Sequence, residues 1–293
     1  MIKKTILVFI ILFGLYSLLV MLTPNMGATQ HQWQENVVKG EKYIYNTSDT
    51  IRSVILGSSL ASRIIMDSLH GFYNLAFAGQ GILDGLEILK HSGKYPKNIF
   101  IETNSILGTK DKNFISTLFD PLSFYPKKYC ASLRSDKQPL AFIFPMVQRM
   151  LNKKIDNKEY ETKATPTNPK EKAMADAMFN KVLQIEIDFY AQAPDTAYLG
   201  KQFIQLKELL NGLKDKDVNI VFFEMPLNPK LVELPMSKGI RQWFYDLFPE
   251  NEYDYIKVPD CSGYVTTDGL HLTEQEAAVY TAYFKEEAQK HLR

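Results

Sequence analysis

The sequence predicts an α/β domain of three layers, with helices on both sides of a central parallel sheet of about five strands. Three observations predict it. Short apolar runs recur at Val54-Ile55-Leu56, Tyr73-Asn74-Leu75-Ala76-Phe77, Ile99-Phe100-Ile101 and Ile220-Val221-Phe222-Phe223, with Tyr255-Ile256-Lys257-Val258 as a weaker fifth. Their length and content of β-branched and aromatic residues are those of buried parallel strands. Amphipathic segments with readable ends lie between them, and one connection, between the third strand and the fourth, is oversized at more than a hundred residues. Alternation of strand and helix is the pattern of a parallel sheet covered on both faces, whose ligands bind at the carboxyl ends of its strands.

In chain order, the first element is a membrane anchor over 1–27. Lys3 and Lys4 precede an uncharged run from Thr5 to Leu22 that ends at Pro24. As a helix this run crosses roughly 30 Å of hydrocarbon. It is longer than the apolar part of a cleaved secretory signal, about 7 to 15 residues, and Asn25-Met26-Gly27-Ala28 is a poor cleavage site. No Lys or Arg follows until Lys39, so the positive-inside rule leaves the N-terminus in the cytoplasm and the domain outside. Residues 28–50 are polar and read as a stem.

The domain proper is expected over 51–293, with an insertion at about 107–198. The insertion holds an aromatic, proline-containing stretch from Phe119 to Tyr129 and a polar stretch around Thr162 to Asn168, and is expected to act as a lid or substrate-binding segment. Asn168-Pro169-Lys170-Glu171 opens a helix bearing Met174, Met178, Val182 and Ile185 at helical spacing. Phe203, Leu206, Leu210 and Leu213 form a second stripe, and Thr273-Glu274-Gln275-Glu276 caps a last helix with Ala277, Tyr280 and Phe284 on one face. All three stripes are expected to face the core.

Composition narrows the function. With 34 basic against 33 acidic residues the net charge is +1, so the chain lacks the basic excess by which nucleic-acid binders neutralise phosphates. Lys127, Lys128 and Arg134 read as a solvated face. Two cysteines, Cys130 and Cys261, are too few for a zinc site or a disulfide framework; one bridge or two unpaired thiols both fit. No cofactor and no metal is expected.

The chemistry-bearing residues sit at strand ends. Gly57-Ser58-Ser59 follows the first strand, where a serine opening a helix places its hydroxyl at the mouth of the sheet. Such a turn also serves as a plain cap. Asp268 and His271 stand in one tight loop before the terminal helix, a base near neutral pKa with a carboxylate to fix its tautomer. A serine turn and an Asp/His loop together meet the needs of an acyl-enzyme. Its oxyanion also needs donors, which Gly79 after the second strand and Asn104 after the third can supply, from a bare backbone N–H and a side-chain amide.

In order and strand position these residues resemble the four blocks of the SGNH (GDSL-like) hydrolases. The resemblance covers about Arg52 to the C-terminus, without the insertion. It implies Ser59 as nucleophile, Gly79, Asn104 and the Ser59 N–H as oxyanion hole, His271 as base and Asp268 as its orienter. Ser58 stands where GDSL-type members have Asp, and Glu102-Thr103-Asn104 replaces the usual Gly-x-Asn-Asp. With the anchor, and with Phe223-Glu224-Met225-Pro226-Leu227-Asn228-Pro229 after the fourth strand, the chain is more similar to the envelope-modifying branch. That branch includes D-alanylation proteins and the acetyltransferases of alginate and peptidoglycan systems.

The resemblance implies a Ser acyl-enzyme that moves an acyl group, acetyl foremost, on or off hydroxyls of an envelope glycan. Its partners would be an acyl donor, a glycan acceptor and, delivering the acyl group across the membrane, a membrane-bound acyltransferase. The competing class is a non-catalytic envelope protein that uses the same fold to bind a glycan or a partner.

Overall fold

The computed structural model describes residues 2–22, 32–46, 50–104, 106, 108–138 and 169–292. The chain divides into two units, Met1–Asn46 with Asn113–Ala164, and Thr47–Lys112 with Thr165–Arg293.

In the first unit, α1 (Ile2–Leu22) is an apolar helix whose Ile2–Leu19 stretch has a mean hydropathy of 2.0 and is long enough to cross a membrane. Within the segment expected as a polar stem, α2 (Gln32–Asn46) buries Val37, Val38, Tyr43 and Ile44. Its polar composition conceals an inward face that includes a charge: Glu41, 2% exposed, accepts from Lys127 Nζ at 2.8 Å, Ser135 N at 2.7 Å and Ser135 Oγ at 2.8 Å. Those partners come from the front of the expected insertion. That segment belongs with the N-terminal helices rather than with the sheet, and Trp33 against Phe114 and Tyr45 against Phe124 extend the same packing.

In the second unit, β1 (Ser53–Leu56), β2 (Phe72–Asn74), β3 (Asn98–Glu102), β4 (Asn219–Phe223) and β5 (Asp254–Ile256) form one sheet in the order β2-β1-β3-β4-β5. Every pairing is parallel. The architecture is the expected three-layer α/β domain. The second strand is shorter than its apolar run, although Leu75 N and Phe77 N still donate to Ile55 O and Gly57 O, at 2.8 and 3.3 Å.

Parallel register fixes which side chains share a face. Ile55, Phe100 and Val221 are paired across strands and point the same way. On that side α10 (Glu274–Gln289) brings Phe284 to ring-centroid distances of 5.5 Å from Phe100 and 5.0 Å from Phe223. On the other side α9 (Pro235–Leu247) sets Phe244 5.5 Å from Phe222, and α7 (Thr196–Asn211) sets Phe203 4.9 Å from Phe244. There α3 (Ile82–Ser92) comes so close to β1 that a Cβ on Gly85 would lie 2.8 Å from Leu56 Cδ2. Each of these phenylalanines is fully buried and contributes about 2–3 kcal/mol by removal from water.

The stripes at Phe203–Leu213 and Ala277–Phe284 are buried as expected. The stripe on α6 (Pro169–Tyr190) is not: Met174, Met178 and Ile185 are 75%, 67% and 58% exposed, while Leu183 and Tyr190 are buried. Apolar residues lie on both sides of this helix, so periodicity predicts the helix without predicting its inward face. Its expected cap, Asn168, and the polar stretch from Thr162 lie outside the described residues. Cys130 and Cys261 are both free thiols.

Candidate active site

β1 ends at Leu56, and the chain turns sharply through Gly57 over a carboxyl group. A Cβ at Gly57 would lie 2.6 Å from Glu102 Oε2 and 2.6 Å from Ala61 Cβ, so only glycine fits between β1 and the end of β3. Ser58 then points into the protein. Its N–H donates to Glu102 Oε2 at 2.7 Å and its hydroxyl to the same oxygen at 2.9 Å; Ala61 N donates there at 3.2 Å.

With Ser58 turned inward, Ser59 faces the opposite way. Its Oγ lies 2.7 Å from His271 Nε2. His271 Nδ1 lies 2.7 Å from Asp268 Oδ2, and the other Asp268 oxygen accepts from Leu270 N at 3.0 Å and His271 N at 2.8 Å. The loop thus fixes the Nδ1 end of the imidazole, and Ser59 meets the other. Gly269 takes a φ of +98°, and a Cβ there would lie 2.9 Å from Leu183 Cδ1 of α6. The expected α-helix after the serine turn is corrected: only a 3₁₀ turn, Ala61–Arg63, follows, too short to carry a macrodipole.

Gly79 and Asn104 follow β2 and β3, the two strands that flank β1 in the sheet. Gly79 is exposed with a φ of +72°, a conformation that glycine permits. Asn104 is buried, and its amide spans the backbone of Met225, donating to Met225 O at 2.8 Å and accepting from Met225 N at 2.6 Å. This engages one of two amide hydrogens, so the group anchors β3 to the segment after β4 and keeps a second donor. Beyond it, a cavity of about 270 Å³ at the ends of β3, β4 and β5 is lined by Thr103, Glu224, Arg241, Tyr245, Tyr255 and Lys257. Arg241 binds Glu224 there through two bonds of 3.0 and 2.7 Å. Among the described residues no group of three His, Cys, Asp or Glu is placed to hold a metal ion.

Two acids give the site its electrostatics. Burial works to raise Asp268, but the bond to the His271 ring and the two backbone N–H groups outweigh it and hold the carboxyl at about 2. Glu102 goes the other way. It is fully buried, and desolvation pushes it up to about 7 against the N–H and hydroxyl donors of Ser58, the N–H of Ala61 and the charge of His271. Sequence reasoning passed over Glu102 as a departure from a motif; the available signal was an acid ending an otherwise apolar strand. It also missed Glu186 on α6, raised by burial and by the nearby Asp268 charge.

Glu102 carries a signed prediction. Its folded pKa lies above its unfolded value, so the folded state binds the proton more tightly, and the ionisation weakens the fold as pH rises from about 4.5 to about 7. The span of about 2.5 units corresponds to about 3 kcal/mol. Glu102→Gln is expected to remove this slope, and Glu102→Ala, which strands two buried N–H donors, to cost about 2–3 kcal/mol at pH 5. Urea unfolding of the detergent-solubilised chain, followed through Trp243 with Trp33 replaced by phenylalanine, measures both; parallel pH slopes in wild type and Glu102→Gln would remove the assignment.

No family model matches the chain, and no curated protein matches it.

Proposed function

We propose that this chain is a membrane-anchored, extracytoplasmic serine acyltransferase or acylesterase of the SGNH kind, acting on hydroxyls of an envelope polysaccharide. The observation that carries the reading is the line Ser59 Oγ, His271, Asp268, two contacts of 2.7 Å each at the carboxyl end of a parallel sheet. In it, His271 Nε2 takes the proton of Ser59 as Oγ attacks an ester carbonyl, and Asp268 accepts from Nδ1–H and stabilises the imidazolium. The tetrahedral oxyanion is met by the N–H groups of Ser59 and Gly79 and by the free amide hydrogen of Asn104. Collapse breaks the ester C–O bond; the leaving alcohol takes the proton from His271, and the acyl group stays on Ser59. A second alcohol, or water, then attacks with His271 again as base, giving transfer or hydrolysis from one intermediate.

A sugar hydroxyl is the favoured acceptor. The cavity at the ends of β3, β4 and β5 sets a paired carboxylate and guanidinium and two tyrosines among Phe223, Phe244, Ile256 and Val258, a mixed polar and aromatic lining compatible with a sugar ring. The apolar α1 with Lys3 and Lys4 in its first turn supports single-pass anchoring with the sheet unit outside. Mass spectrometry after incubation with p-nitrophenyl acetate is expected to find one acetyl group on Ser59, discharged faster by a glycan acceptor than by water. Absence of covalent mass under single-turnover conditions would defeat the acyl-enzyme. Alkaline phosphatase fused after Arg293 is expected to be active, and an inactive fusion would reverse the topology.

A further inference from the structure

The first unit contains a short helix whose outward face carries exposed apolar and aromatic side chains. α4 (Lys112–Phe119) leads into α5 (Pro121–Tyr129), which is followed by 3₁₀ turns at Ala131–Leu133 and Ser135–Lys137. On α5, Phe124 turns inward against Phe119 and Tyr45, and Lys127 inward onto Glu41. The opposite face carries Leu122, Tyr125 and Tyr129, which are 87%, 56% and 80% exposed. The spacing i, i+3, i+7 sets all three on one side of the helix. Lys128 lies beside them, its ammonium 5.7 Å from the Tyr129 ring.

Where this face lies is fixed by the apolar helix of the same unit. Ser132 Oγ, in the turn directly after α5, hydrogen-bonds Ser17 Oγ of α1 at 2.9 Å. Phe13, Tyr16, Ser17 and Leu19 are the half-covered residues of α1, whereas Ile10, Ile11, Leu12, Leu15 and Leu18 are exposed. Ser17 is five residues before the end of α1 at Leu22, about 8 Å along the axis at 1.5 Å per residue. An amphipathic helix lies about 5–10 Å into the headgroup and acyl boundary, and tyrosine with lysine is the pairing such a depth favours.

We infer that α5 is a second membrane contact: its Leu122/Tyr125/Tyr129 face lies in the outer interface of the bilayer that α1 crosses, held at that depth by the Ser17–Ser132 bond. The inference rests on α1 being a membrane span. Its occupant is lipid because the turn directly after α5 is bonded to the anchor about 8 Å from the anchor's end, while the charged groups beside the face, Lys127 and Arg134, are turned to Glu41 and to Asn46. The span alone leaves the first unit free to tilt about one helix, and an interfacial helix beside it removes that freedom.

The full chain, with Cys130→Ser and Cys261→Ser, is reconstituted in phosphatidylcholine and phosphatidylglycerol vesicles. Single cysteines at 122, 125 and 129 carry a nitroxide, with position 12 of α1 and exposed position 250 as controls. Collisions with oxygen are compared with collisions with a water-soluble nickel chelate. Leu122, Tyr125 and Tyr129 are expected to favour oxygen several-fold over Glu250 and to fall short of the deeper Leu12. Nickel-favoured labels at the three sites with an oxygen-favoured position 12 overturn the inference and leave the span intact. Labels shielded from both reagents identify a protein surface there and overturn it as well. A nickel-favoured position 12 removes the span, and the inference with it. The three substituted side chains are exposed, so the labels leave the packing of the unit in place.

Discussion

Turnover of p-nitrophenyl acetate is expected to fall by at least about 10³-fold in Ser59→Ala, with the fold unchanged. In the proposed mechanism the hydroxyl forms the covalent bond, and in a group of residues that act as a unit the loss of the nucleophile costs about as much as loss of the whole set. Among the described residues its Oγ bonds His271 Nε2, and that imidazole is part-exposed and can turn to water instead, so removal of the hydroxyl leaves the packing in place. Ser58→Ala is the control. The Ser58 hydroxyl points down onto Glu102, 2.9 Å away, and its loss is expected to change turnover only a few-fold. Should Ser59→Ala retain wild-type turnover and envelope ester content, catalysis is lost as a reading and a glycan-binding or partner-binding component of the same fold takes its place.

The second large effect is expected from Asp268→Asn, a fall of roughly 10⁴-fold in kcat at neutral pH, the order of magnitude for this exchange in a Ser–His–Asp triad. An asparagine keeps an oxygen to accept from Leu270 N and His271 N, so the loop survives. Its amide, however, donates to Nδ1 and leaves the ring proton on Nε2, the atom that must take the proton of Ser59. KM is expected to stay within about twofold, because the carboxylate does not meet substrate. The same substitution changes acid stability. Asp268 is held at about 2 in the fold, below the ordinary carboxylate value, so its contribution is present above about pH 4 and is lost as pH falls toward 2. The variant is expected to show a shallower loss of stability over that interval, read by unfolding midpoints at pH 5 and pH 3. An equal loss in both would show that the carboxylate is not the group being titrated.

Much of the sheet unit was legible because its signals are local. A buried parallel strand must be largely an apolar run, and each of the five runs overlaps its strand. The stripes on α7 and α10 read correctly because each has one apolar side facing a polar one. The stripe on α6 read incorrectly because both sides are apolar, and which one is covered depends on what lies opposite. Likewise α2 looked like a stem: its inward face includes Glu41, and a buried charge is tolerated only because Lys127 and Ser135, more than eighty residues later, come to meet it.

The site divides along the same line. Gly57-Ser58-Ser59 was a weak turn motif and Asp268 to His271 a stronger loop motif, and the two lie more than two hundred residues apart. The sequence by itself determined the strands, the residue types at their carboxyl ends and the Asp-x-x-His loop, since each is dictated by hydrophobic pattern and short-range hydrogen bonding. The resemblance already named Ser59; tertiary structure alone supplies the reason that it, and not the adjacent Ser58, meets the histidine. Glu102, on the neighbouring strand, accepts from Ser58 and draws that side chain into the protein, and the alternation of the backbone then turns Ser59 toward His271 Nε2. The two neighbouring strands that meet at this turn are separated in sequence by a full crossover, so no local pattern encodes their meeting. It follows from β1 and β3 lying side by side in the sheet.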